Sequence, residues 1–98
     1  MKLPRLTANV LHVLSTVASS SSAQGIAGAE ILKETRLQSG TLYPLLVKLE
    51  GAGWVLSKWE AGIPSELGRP RKRFYKITSE GRVQLTSQLA NNLRELAF

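Results

Sequence analysis

Residues 39–60 read SGTLYPLLVKLEGAGWVLSKWE, and the hydrophobic period changes inside this stretch. Leu42, Leu45, Leu46 and Leu49 fall at i, i+3, i+4 and i+7, the stripe of an amphipathic helix from Ser39 or Gly40 to about Ala52. Gly53 is placed to end that helix in the left-handed conformation, which a residue without Cβ adopts freely. From Trp54 the residues alternate and are aromatic or β-branched, which predicts a strand over WVLSKW. Pro44 falls at the fourth or fifth helical position, close to first-turn amides that lack partners anyway. A kinked beginning is expected there, not a break.

Working outward, RFYKI at 73–77 repeats the strand pattern after the gap EAGIPSELGRPR. Two prolines and two glycines in that gap suit an exposed loop and exclude another strand, so the two strands form a hairpin. TSEG at 78–81 opens a last helix to about Ala97, with Leu85, Leu89, Leu93 and Leu96 along one side and Val83 and Ala90 near them. On the other side of the chain, Val10, Val13, Leu14 and Val17 mark a first helix from Thr7 to Ala18. Thr7 can cap it and the serine run at 19–22 ends it, because hydroxyls compete for backbone hydrogen bonds. A second helix is expected from Ala27 to Thr35, with Ile31 and Leu32 inward, Ile26 packing at its start and a tight RLQ turn after it. The order α/α/α/β/β/α is that of a mainly α winged helix-turn-helix with a β-hairpin wing. Residues 1–77 form the winged helix and residues 78–98 a C-terminal helix of the same domain.

The chain has 98 residues, 13 Lys and Arg against 7 Asp and Glu, and a net charge of +6. That length supports one modest core, and the 43% apolar content spread along it argues against disorder. MKLPRLTANVLHVLSTVASSSS superficially resembles a signal peptide, but Asn9, His12, Ser15 and Thr16 interrupt its apolar run with helical spacing. It is expected to stay as part of the core. No stretch approaches a membrane span, and the absence of cysteine removes disulfides and thiolate metal sites, as suits a cytoplasmic protein. Catalysis has little support: His12 is the one histidine, the carboxylates are scattered, and no phosphate-binding glycine loop or nucleophile elbow is present. Neither a cofactor nor a metal is expected.

Residues 68–77, GRPRKRFYKI, concentrate Arg69, Arg71, Lys72, Arg73 and Lys76 with no acid among them. A loop charged only for solubility ordinarily mixes both signs, so a polyanion is the expected partner. Alternation puts Lys72, Phe74 and Lys76 on one face and Arg73, Tyr75 and Ile77 on the other, with the aromatics packed. Trp54 and Trp59 are expected to anchor the wing to the helices. Ser39, Gly40, Thr41 and Tyr43 crowd the N-terminus of the third helix, where open amides and the positive dipole end favour phosphate. Ser39 or Gly40 is the expected N-cap. In a helix-turn-helix this end meets base edges, so Ser39, Gly40, Thr41, Tyr43, Lys48, Arg69, Arg71, Lys72 and Arg73 are the candidate contacts to double-stranded DNA.

SGTLYPLLVKLEGAGWVLSKWE followed by GRPRKRFYKITSEG resembles the signature of PadR-like transcriptional regulators, and the likeness runs from about Leu6 to the end. IAGAEIL departs from it, since Ala29 stands where the family has an aromatic. The single C-terminal helix resembles the small type, which implies a homodimer whose first and last helices pair across the two-fold axis. Some such members bind flat aromatic or drug-like molecules between subunits. Leu85, Leu89, Asn92 and Leu96 are spaced like a coiled-coil seam, and with Val10 and Leu14 they are the candidate dimer contacts. These aliphatic faces read as a packed interface, and no small-molecule effector is indicated. The expected function is a dimeric repressor reading an inverted-repeat operator. An architectural DNA-binding factor and a winged-helix protein-interaction module are the alternatives.

Overall fold

A computed structural model describes the backbone of residues 7–96 and the side chains of residues 7–91. The elements are α1 (Ala8–Ala18), β1 (Ile26–Ala27), α2 (Gly28–Thr35), α3 (Ser39–Gly51), β2 (Val55–Trp59), α4 (Pro64–Leu67), β3 (Arg73–Ile77) and α5 (Ser79–Leu96). The antiparallel sheet has the order β1-β3-β2, with Val55 opposite Ile77 and Trp59 opposite Arg73.

The apolar stripes fill one core. Val10, Val13, Leu14 and Val17 of α1, Ile31 of α2, and Leu42, Leu46 and Leu49 of α3 enclose Trp54, Val55 and Tyr75 of the sheet. The Thr7 side chain caps α1 by accepting from the Val10 N–H at 3.3 Å. Gly53 adopts φ +79° after α3, as its position predicts, and α3 continues through Pro44. The first six helical residues reach Pro44, so it lies deeper than the fourth or fifth position.

Two elements differ from the sequence reading. β1 is a two-residue strand pairing Ile26 with Tyr75 and Ala27 with Phe74, and α2 starts after it. Gly25, at φ +94°, makes this possible, because a Cβ there would run into the Tyr75 carbonyl. The gap expected to be plain loop holds the helical turn α4, with Pro64 at its start and Gly68 left-handed at its end.

The start of α5 is fixed to the end of α3. Thr78 donates its hydroxyl to the Gly53 carbonyl at 2.6 Å and accepts the Gly81 N–H at 3.0 Å. Its own N–H meets the Trp54 carbonyl at 3.0 Å, and the Trp54 N–H bonds the Leu49 carbonyl at 2.9 Å. Gly81 is required at this junction, since a Cβ would fall well inside contact distance of the Trp54 carbonyl oxygen. Gly81→Ala is therefore expected to destabilise the fold by at least about 1–3 kcal/mol, as overpacking does. Trp54→Ala should cost about 3–5 kcal/mol through its cavity. Urea titrations of both variants measure these losses.

Candidate nucleic-acid interface

The exposed side of α3 carries Ser39, Gly40, Thr41, Tyr43, Pro44, Val47 and Lys48. Contrary to the expected capping, Gln38 is the N-cap and makes no side-chain cap bond. Ser39 is already the first helical residue, and its hydroxyl is not consumed by capping. The Gln38 carbonyl accepts from Thr41 and Leu42, both at 2.9 Å, which leaves the Ser39 and Gly40 amides at the positive end of the helix. Tyr43 is 40% exposed. One edge of its ring lies over the start of α2, where a Cβ on Gly28 would meet its Cε1 at 3.1 Å and its hydroxyl at 3.3 Å. The phenol is thus held by packing while its outer side stays open.

The wing is more structured electrostatically than its sequence suggests. Arg69 makes a bidentate pair with Glu60, at 2.6 and 3.0 Å, and the Lys72 backbone N–H donates to the same carboxylate at 3.2 Å. The Arg69 hydrogen bond, aided by that of Lys72, lowers the Glu60 pKa to about 2. Arg73 stands 3.7 Å from Glu50 and 4.9 Å above the Trp59 ring. Glu50 in turn accepts the Ser57 hydroxyl at 2.5 and 2.7 Å. Arg69 and Arg73 are therefore engaged within the protomer, by carboxylates that lie outside the basic segment. Arg71 and Lys72 have exposed side chains at the wing end, and Lys76 is exposed on the strand face away from Tyr75.

Tyr75 is buried on the inner face, as alternation predicts, and burial pushes its phenol pKa up. Trp54 anchors the wing, but Trp59 does not: it is 55% exposed and serves as the platform for Arg73.

The candidate dimer residues divide. Val10, Leu14 and Leu85, candidates for the dimer interface, are buried in the protomer's own core. An apolar stripe identifies a buried side but not the partner that buries it. Leu89 follows Leu85 by one turn and is 46% exposed. The Asn92 and Leu96 side chains lie outside the described residues. Sequence reasoning missed Glu60, whose partners become adjacent through the pairing of the wing strands, Glu50, which meets Ser57 and Arg73 only when α3 packs on the wing, and Val47, an exposed apolar residue hidden within a leucine-rich run. Among the described residues, no group of His, Cys, Asp and Glu is placed to hold a metal, and no helix is long and apolar enough to cross a membrane.

A family model described as the transcriptional regulator PadR-like family matches residues 10–87. No curated protein matches the chain. Among solved structures, a PadR-like transcription factor from Bacteroides fragilis is 25% identical with a TM-score of 0.68, over 90% of this chain and 82% of that one. A PadR family transcription regulator from Clostridium difficile has a TM-score of 0.70 at 22% identity, over 92% of this chain and 94% of that one, a likeness of fold. A PadR family regulator from Eggerthella lenta is 25% identical with a TM-score of 0.65, over 90% of this chain and 80% of that one. These are regulators of transcription and not enzymes. With its winged helix, its open α3 N-terminus and its basic wing, the chain belongs to the PadR-like family of DNA-binding transcriptional regulators.

Proposed function

We propose that the protein is a cytoplasmic homodimeric repressor that reads an inverted-repeat operator with α3 and holds the flanking phosphates with the wing. The observation that carries this reading is the presence in one winged helix of an α3 N-terminus without side-chain capping and a wing end bearing exposed Arg71 and Lys72. Ser39, Gly40, Thr41, Tyr43 and Lys48 belong to the reading surface. Arg69 and Arg73 shape the wing more than they contact DNA, because each already faces a carboxylate. Repression is what the small, dimeric type implies, since a dimer covering a promoter blocks it without an activating domain.

The dimer is supported by α5, the proposed dimerisation element of the same domain. Its apolar face passes from buried Leu85 to half-open Leu89. Two third helices related by a two-fold would meet successive major grooves about 34–36 Å apart. No effector is invoked, because the α1 side chains that a pocket between subunits would share are already inside each protomer's core.

Selection of bound duplexes from a random pool tests the reading: an enriched inverted repeat is expected, while binding without enrichment would favour an architectural factor. On the selected duplex, Arg71→Ala with Lys72→Ala should weaken all duplexes alike and flatten the slope of log K against log salt by about 0.9 per lost phosphate contact. Arg69→Ala and Arg73→Ala should change that slope less. Thr41→Ala and Tyr43→Phe should reduce operator preference, by about 1–3 kcal/mol for each base-directed contact, which competition between operator and random DNA measures. Leu89→Arg should weaken dimerisation by more than about tenfold, because a charge enters an apolar seam. Sedimentation of that variant reads the association constant directly.

A further inference from the structure

We propose that Val47 is a specificity-determining residue that reads the C5-methyl group of thymine in each half-site. This rests on α3 being the reading helix, and adds which base feature that helix recognises. Val47 is 71% exposed, the most open large apolar side chain among the described residues. Nothing in the protomer's packing accounts for it, and a β-branched residue on a solvated helix face is a weak helix former.

Its neighbours sharpen the argument. Gly40, Pro44, Val47 and Gly51 recur at helical spacing along the outward side of α3, and all are exposed. Cβ atoms at Gly40 and Gly51 would meet nothing within 4 Å, so the helix is bare of side chains at these two positions on Val47's side. Pro44, one turn earlier, contributes a ring and no N–H. This side of α3 therefore lacks the arginine, asparagine or glutamine that makes two-bonded contacts to guanine or adenine. In the major groove the base-edge feature recognised by apolar contact is the thymine methyl. Polar Thr41 and cationic Lys48 flank the apolar side, and the exposed wing cations supply attraction to the phosphates. Sequence discrimination at this position then comes from a methyl group enclosed between Val47 and Pro44.

Removing the thymine methyl tests this without altering base pairing. Random duplex pools are synthesised in parallel with thymine and with deoxyuridine, and each is selected against the wild-type protein and Val47→Ser. In the thymine pool, wild type should enrich a thymine column in each half-site. The uracil pool and the Val47→Ser protein should both lose that column while retaining the others. On the selected duplex, one thymine-to-uracil change should weaken wild-type binding about fourfold per half-site, the factor for one buried methyl-sized group. The same change should leave Val47→Ser binding unaltered. Equal enrichment of that column in both pools overturns the methyl contact while α3 reading stands. Absence of any enriched column in either pool overturns the operator-reading function itself, and this inference with it. The uracil arm uses unaltered protein, so the test holds even if the variant folds poorly.

Discussion

Everything the molecule presents to a partner hangs from the Gly53–Trp54 corner. The Trp54 ring is 2% exposed, its N–H closes onto the last turn of α3, and its carbonyl receives the first residue before α5. Gly53 gives the chain the left-handed turn that sends it from helix to strand. One corner thereby sets the directions of α3, the wing and the C-terminal helix. An indole packed among aliphatic side chains resists rotation because protein interiors are as dense as molecular crystals. The three elements are consequently oriented by packing, and the hydrogen bonds of Thr78 fix where the last helix begins.

A second, polar connection joins the same helix to the wing farther out. Glu50 leaves the end of α3, takes the Ser57 hydroxyl of β2 and faces Arg73 of β3. Arg73 also covers Trp59. Partly exposed ion pairs contribute little to stability, so the importance of this one is geometric. It ties both wing strands to the helix that would enter the groove, and motion of the wing relative to that helix must break several contacts together.

The parts of the fold readable from sequence are those with long periods or strong punctuation. The stripes of α1 and α3, the turn at Gly53, the alternation of Arg73 through Ile77 and the threonine at the start of α5 all met their expected places. β1 was illegible because two residues display no alternation. It exists because β3 offers an edge, and Gly25 lets the chain reach it. The turn α4 was hidden behind proline and glycine, which mark loops and helix ends alike. At the site, position was legible while partnership was not. The wing's basic run was plain, yet antiparallel pairing puts Glu60 beside Lys72 and within reach of Arg69. Val10 and Leu14 were read as apolar correctly, but an amphipathic stripe serves a core and an interface equally well.

The placement of acid within this basic protein narrows where a polyanion can approach. Glu60 stays ionised far into the acid range because Arg69 and the Lys72 amide hold its charged form. A phosphate near Arg69 would meet that carboxylate as well as the guanidinium, and one near Arg73 would meet Glu50. Arg71 has no such carboxylate contact among the described residues, Lys72 meets Glu60 through its backbone N–H with its side chain exposed, and Lys76 is exposed on the strand face away from Tyr75. The cations that these pairs leave open are Arg71 and the Lys72 side chain, at the end of the wing. A run of like charge in sequence becomes, after folding, a mixture of paired and open cations on a braced support. Open cations of this kind suit contacts to a nucleic-acid backbone, which position a protein without reading sequence.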